Sequence, residues 1–356
     1  MLTKNILDCQ RVMKKELSER KQKILQAVVD EYITTAEPVS SGEIKEKYLA
    51  DISSATIRNE LASLEEMGYL VQPHVSAGRI PSEKAFRYYV NRLMCDEPLP
   101  MPDMAKLAAV KSRRGEDLVD FLADVIAELT DYTAVVVKED MSDTITAIRL
   151  VNLLNGKMLV VIVTDSRVMK DGMVDIPEDF TEPMIAQAEH WLNRIFVGKH
   201  VSDFVNFDYP YALATGDFQP YNAVFKKIID VLKRVSLQNG MEVTMSGENN
   251  IFRHTEYADS SKNAQKFLSE MEQKTKIAEL FTDDGGRLGS VTVKIGATDH
   301  AIDGCSVVTT RVALGNNVSG SIGVVGPMRM DYKKVLGVLE HVGGILSEIL
   351  GEPNGQ

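Results

Sequence analysis

From Glu19 to Met94 the apolar positions fall into short periodic runs broken by serine, glycine and proline. Ile24, Leu25, Val28, Tyr32 and Ile33 keep helical spacing, and Pro38 with Ser40 and Ser41 ends that run and caps the next. Ile44 and Tyr48, four apart, mark a second, short helix over 42–48. The third run, Ser54 to Met67, is capped by Ser53 or Ser54 and has two sides of different kind. At about 100° per residue, Ile57, Leu61 and Leu64 share one side, and Ala55, Thr56, Asn59, Ala62 and Ser63 share the other. Gly68 stops this helix, and Tyr69 to Pro81 is apolar at both ends with Gly78 and polar residues between them. That predicts a strand, a projecting tip and a second strand, because Pro73 and Pro81 fit only short, exposed strands. Ser82 then caps a fourth helix, Glu83 to Met94. Three helices followed by such a ribbon predict a winged helix-turn-helix over 18–95.

Asp96 to Pro102 holds three prolines in seven residues and reads as a helix-hostile linker over 96–102. Beyond it, an amphipathic helix over Glu116 to Leu129 precedes strands at Thr133 to Val137, Ile145 to Leu154 and Met158 to Thr164, the last two joined by an Asn155-Gly156 hairpin. Helical spacing returns over Pro183 to Arg194 and over Tyr221 to Gln238, where Phe225, Ile228, Ile229 and Leu232 form a stripe. A helix over Ala264 to Leu280, strands at Ser290 to Ile295, Ser306 to Val312 and Gly320 to Val325, and a last helix over Tyr332 to Leu350 complete the pattern. Strands on both sides of a helical block predict a multidomain α+β chain in which one domain is interrupted by an insertion. Residues 1–17 carry no readable pattern and stand as an N-terminal extension.

Composition sharpens this picture. The 356 residues suffice for two or three domains, and the apolar runs fall short of the roughly 18 to 20 residues of a spanning helix. The start lacks the apolar block of a signal peptide, so a cytoplasmic protein with no membrane partner is expected. Cys9, Cys95 and Cys305 show no paired spacing and read as reduced structural thiols. The net charge is −11, unevenly divided: residues 1–95 hold 14 Lys and Arg against 13 Asp and Glu, and the rest 26 against 38. An acidic body with a near-neutral N-terminal segment argues for selective rather than blanket binding of a polyanion.

The third helix carries the candidate chemistry. A helix lying in a major groove needs small residues for close approach and a few polar ones to read base edges. Ser54, Ala55, Thr56, Arg58, Asn59 and Ser63 fit that need, with Asn59 suited to adenine and Arg58 to guanine or phosphate. An ion pair of Arg58 with Glu65 or Glu66 is the alternative. On the wing, His74, Ser76, Gly78 and Arg79 are placed for backbone phosphate or a minor groove, and Lys84 follows on the next helix with Arg87 and Arg92. Gly320 to Pro327 is rich in glycine, but alternating Ile322, Val324 and Val325 make it a buried strand rather than a phosphate loop. Asp331 reads as an N-cap, Trp191 as core or subunit interface, and His190, His200, Asp299, His300 and Asp303 show no metal spacing. No nucleophile, base and orienter match by motif, so no catalytic residue, cofactor or metal is expected and the chain is read as no enzyme.

Four strings resemble a known family. Ser53-Ser-Ala-Thr-Ile-Arg-Asn-Glu60, Gln72-Pro-His-Val-Ser-Ala-Gly-Arg-Ile-Pro-Ser82, Gly304-Cys-Ser-Val-Val308 and Gly320-Ser-Ile-Gly-Val-Val-Gly-Pro-Met-Arg-Met-Asp-Tyr332 are similar to the heat-inducible transcription repressor family HrcA. The likeness spans about Leu17 to Leu350 and is weakest over 181–261. It implies a winged helix, a GAF-like domain in two segments, 103–180 and 262–350, and an inserted dimerisation domain over 181–261. It further implies a homodimeric repressor of chaperone genes that binds an inverted-repeat operator on double-stranded DNA and is modulated by the GroE chaperonin. Ile295-Gly-Ala-Thr-Asp-His300 departs from the family pattern. The competing class is a metabolite-sensing winged-helix regulator with a ligand pocket in the C-terminal body.

Overall fold

Serine begins each early helix by satisfying an amide that the helix itself leaves unpaired. In the computed structural model, which describes residues 17–94, 99–112, 116–140, 142–153, 155–166, 172–205, 222–282, 287–296, 302, 304–315 and 318–350, Ser18 caps α1 (Glu19–Thr35) and Ser53 caps α3 (Ser54–Glu66). Between them Ser40 and Glu43 form a reciprocal capping box on α2 (Ser41–Lys47). The Ser40 amide and hydroxyl hold the Glu43 carboxyl below its usual range. Ile24, Leu25 and Val28 of α1, Ile44 of α2 and Ile57 and Leu64 of α3 are fully buried, at about 1.5–3 kcal/mol for each such side chain. Buried Glu31 ties α1 to α2 by accepting from Lys47 Nζ at 2.5 Å and from the Tyr48 hydroxyl at 3.0 Å. Gly68, at φ +75°, ends α3.

The ribbon is two residues deep on each side. Strands β1 (Leu70–Val71) and β2 (Ile80–Pro81) pair antiparallel, Leu70 against Pro81 and Val71 against Ile80. Helix α4 (Glu83–Tyr88), capped by Ser82, runs into a π-turn over Tyr89–Leu93, shorter in α-form than the expected helix to Met94.

Taking the described residues only, the chain divides into two compact units, one of 17–136, 244–312 and 321–350 and one of 137–243 and 313–320. In the first unit, α5 (Met101–Ala108), α6 (Glu116–Thr130) and α13 (Tyr332–Leu350) pack together. Val335, Val338, Leu339, Val342 and Leu346 form the buried stripe of α13. A sheet with the order β7 (Met241–Ser246), β3 (Thr133–Asp140), β10 (Val318–Pro327), β9 (Cys305–Gly315), β8 (Val291–Ile295) contributes most of its residues here. Gly320 to Pro327 is the buried strand expected rather than a loop, and Asp331 caps α13, its carboxylate accepting from the Lys334 amide at 3.1 Å. Cys305 is buried. Further elements of this unit are 3-10 turns over Ala109–Ser112 and Glu248–Arg253, then α10 (Thr255–Ala258), α11 (Ser261–Met271) and α12 (Lys274–Thr282).

The second unit packs an antiparallel sheet, β4 (Ile145–Asn152), β5 (Lys157–Thr164) and β6 (Gly172–Asp175), with α7 (Glu182–Phe196), α8 (Val201–Val205) and α9 (Asn222–Gly240). Asn155 and Gly156, at φ +55° and +72°, make the expected hairpin. Ile148, Val160, Ile162, Leu192, Phe225, Ile228 and Leu232 belong to one core, with half-buried Trp191 edge-on to Phe225 at 4.8 Å. Asn193 of α7 exchanges two 2.8 Å hydrogen bonds with the Ile148 backbone, and Glu189 accepts from the Leu150 amide at 2.8 Å, so helix side chains occupy ladder positions along β4.

Four expectations change. The compact unit that interrupts the first begins at 137, whereas an insertion over 181–261 was expected, because β4 to β6 bury their apolar faces with α7 and α9. The segment 244–261 returns to the first unit. The 96–102 linker is not wholly helix-hostile: α5 starts at Met101 with Pro102 in its first turn, where the missing amide costs nothing. The helix expected over Ala264 to Leu280 is α11 and α12, interrupted at Glu272 and Gln273. Residues 1–16, the Asp299, His300 and Asp303 cluster, Cys9 and Cys95 lie outside the described residues.

At Gly323 of β10 the neighbouring backbone leaves no room for a side chain, since a Cβ there would lie 2.0 Å from the Val308 carbonyl oxygen of β9. Gly323→Ala is therefore expected to cost about 1–3 kcal/mol, read as a lowered urea midpoint at unchanged slope.

Candidate nucleic-acid interface

Helix α3 is held by one side only. Ile57, Leu61 and Leu64 are buried, and Ala55, Arg58, Asn59, Ala62 and Glu66 are exposed. Ser54, Thr56 and Ser63 are half-buried at the margins. Ser53 accepts from the Thr56 amide at 3.1 Å, and the two hydroxyls lie 2.8 Å apart, so Thr56 belongs to the cap as well as to the outer face.

The carboxylates around α3 are matched to particular cations. Glu60, next to Asn59 in sequence but turned toward α1, binds Lys21 Nζ at 2.7 Å, with Arg20 at 3.7 Å. Glu65 binds Arg79 Nε at 2.9 Å. Arg58 is thus not the partner of Glu65 or Glu66, and it forms no ion pair among the described residues. An exposed guanidinium with no ion pair among the described residues has donors to offer an external acceptor.

The ribbon tip exposes His74, Val75 and Ser76 to solvent, Val75 at 98%. Gln72 props it from beneath, its side-chain amide donating to the carbonyls of Val75 at 2.9 Å and Ala77 at 3.0 Å. At the base of the tip the Val39 and Arg79 backbones exchange hydrogen bonds of 2.9 and 2.8 Å. Gly78 permits that approach, because a Cβ there would lie 2.4 Å from the Val39 carbonyl oxygen.

Two of the expected ligands, Arg79 and Lys84, have partners within the protein. The Arg79 side chain, 18% exposed, is drawn back onto Glu65 rather than projecting from the tip. Lys84 donates to the Met67 carbonyl at 2.7 Å and lies 4.2 Å from the Tyr69 ring centroid, a cation at the negative end of α3. Sequence reasoning missed Gln72, whose bonds to carbonyls three and five residues along the chain depend on how the tip folds back.

Among the described residues no helix is long and apolar enough to cross a membrane. The sequence profile described as HrcA protein C terminal domain matches residues 116–336. The heat-inducible transcription repressor HrcA of Ruminiclostridium cellulolyticum is 34% identical over 338 residues, covering 92% of this chain and 95% of the relative. That of Brevibacillus brevis is 34% identical over 340 residues, covering 94% and 98%. A crystal structure described only as a hypothetical protein shares the fold, with a TM-score of 0.54, 21% identity and coverage of 94% of this chain and 98% of that one.

The ribbon geometry separates two neighbouring substitutions. Arg79→Ala is expected to cost no more than about 1 kcal/mol, as its ion pair is partly solvated. Gly78→Ala, which forces two backbones apart, is expected to cost about 1–3 kcal/mol. Urea unfolding of the two variants checks that order.

Proposed function

The chain belongs to the HrcA family, and on that premise we propose that it is a DNA-binding transcriptional repressor of heat-shock genes, gripping an inverted-repeat operator as a homodimer. The observation that carries the reading is the bare outer side of α3 beside a propped, outward-facing ribbon tip. In this reading the first three helices and the ribbon are a winged helix, and α3 enters the major groove. Ala55, Ser54 and Ser63 allow close approach, Thr56 contributes its hydroxyl, Asn59 reads adenine, and Arg58 takes guanine or an adjacent phosphate. His74 and Ser76 touch backbone or minor groove from the tip. Gly78, Arg79 and Lys84 act by holding the shape of the ribbon and of the end of α3, not as free cations.

The five-stranded sheet with its helices is the GAF-like body, and the second unit is the dimerisation insert. Two half-sites read by one tethered pair raise affinity because the second contact is effectively intramolecular. The GroE chaperonin is the proposed regulatory partner, and the protein acts in the cytoplasm.

Asn59→Ala and Arg58→Ala are each expected to lose about 1–3 kcal/mol on a duplex that the full chain enriches from random DNA, and far less on a scrambled one. Arg79→Ala is expected to change the salt dependence of binding by less than one phosphate contact, since its charge is already neutralised by Glu65. Gel shifts across a salt series give both quantities, and equal losses on specific and scrambled duplexes for Asn59→Ala would refute its reading role.

A further inference from the structure

The turn from β10 into α13, Gly326-Pro-Met-Arg-Met-Asp-Tyr332, has no place on the DNA-facing surface described above, yet within the first unit it meets the helices that carry α3. Arg329, with a side chain 14% exposed, pairs through Nε with the Glu256 carboxylate of α10. Its Nη1 donates to the Ile33 carbonyl in the last turn of α1 at 3.1 Å. The last carbonyls of a helix lack an internal donor and carry the negative end of its dipole, and α1 has no basic residue of its own in that turn. Arg329 supplies both the missing donor and the missing charge.

Neighbouring residues strengthen the same joint. Lys333 Nζ lies 3.8 Å from Asp30 Oδ1 of α1, the oxygen that also accepts the Tyr89 hydroxyl at 2.5 Å. The Phe86 ring of α4 lies 6.3 Å from that of Tyr332. Tyr332 is immobilised in turn, its buried hydroxyl donating to the Met328 carbonyl at 2.7 Å and lying 2.7 Å from Ser306 Oγ. The Asp331 amide donates to the Tyr132 hydroxyl at 2.9 Å. Thus one turn of the body grips α1 and α4, one of which precedes α3 in the chain and the other of which follows it.

We infer that Arg329 is a positioning residue for operator binding: by clamping the end of α1 to the body it fixes the direction in which α3 is presented, and with it the half-site spacing that one dimer reads. This rests on the homodimeric repressor reading above. In a twofold dimer, the second half-site is captured at high effective concentration only where it lies at the distance and helical phase to which the second α3 already points. Loosening the joint lowers capture at the correct spacing and raises it at wrong ones. A guanidinium is suited to the task because its planar fork serves two acceptors on separate elements, which one ammonium does not reproduce.

The test uses the full chain and the inverted-repeat duplex it enriches from random DNA, a version with the centre lengthened by half a helical turn, about five base pairs, and a duplex bearing one half-site. Wild type is expected to prefer the enriched duplex over the lengthened one by at least about tenfold. Arg329→Ala, and Arg329→Lys with it, is expected to shrink that preference at least threefold while half-site affinity stays within twofold. Asn59→Ala weakens every duplex and keeps the preference, which separates reading from positioning. If Arg329→Ala keeps the wild-type preference, or loses half-site affinity in parallel, the inference is overturned. Should Arg329→Ala fail to fold by circular dichroism, Glu256→Gln takes its place, with the same narrowing expected and an unchanged preference overturning the idea. A wild-type chain that enriches no inverted repeat instead refutes the dimeric repressor reading, and the positioning role falls with it.

Discussion

The N-terminal segment of helices and ribbon depends on one asymmetry: α3 must be anchored firmly through a narrow apolar stripe while its opposite side stays largely uncovered. Ile57, Leu61 and Leu64 supply the anchor, and burial of three such side chains is worth several kcal/mol. The bareness is kept by local charge pairing. Glu60 is drawn to Lys21, Glu65 to Arg79, and Lys84 to the Met67 carbonyl, so these five charged groups are turned inward or sideways. What remains outward is Ala55, Arg58, Asn59 and Ala62, with Glu66 toward the helix end. A surface helix with an ordinary mixture of long charged residues would bury the same stripe and present no such side.

The helices of this segment were legible in the sequence because their signals are local. Each cap lies within three residues of the amide it satisfies, and the 3.6-residue period selects the buried positions without knowledge of the partner. The roles of the cations were not legible. Arg79 reaches a carboxylate 14 residues away and Lys84 a carbonyl 17 residues away, and both depend on how the ribbon folds back on α3. Spacing alone left them as free positive charges. Arg58 shows the reverse: pairing with Glu65 was a fair competitor until the fold gave Glu65 to Arg79.

The same limit explains the domain boundary. Period separates helix from strand but does not say which core an element joins, so β4 to β6 were grouped with the strands before them. Packing groups them with α7 and α9. The polar side of this packing is as specific as the apolar side: Asn193 and Glu189 give β4 the hydrogen bonds a further strand would have provided. An edge satisfied by amide and carboxylate side chains is a poor template for pairing with another chain.

The contact of Phe86 with Tyr332 has a thermodynamic side. Both rings are buried, and they bring the apolar interior of the early helices up against that of α13. Opening one of these interiors to water strips cover from the other, so neither reaches a melted state at its own separate free-energy cost. Heat acting on this unit therefore couples the melting of the early helices to that of the carboxy-terminal helix.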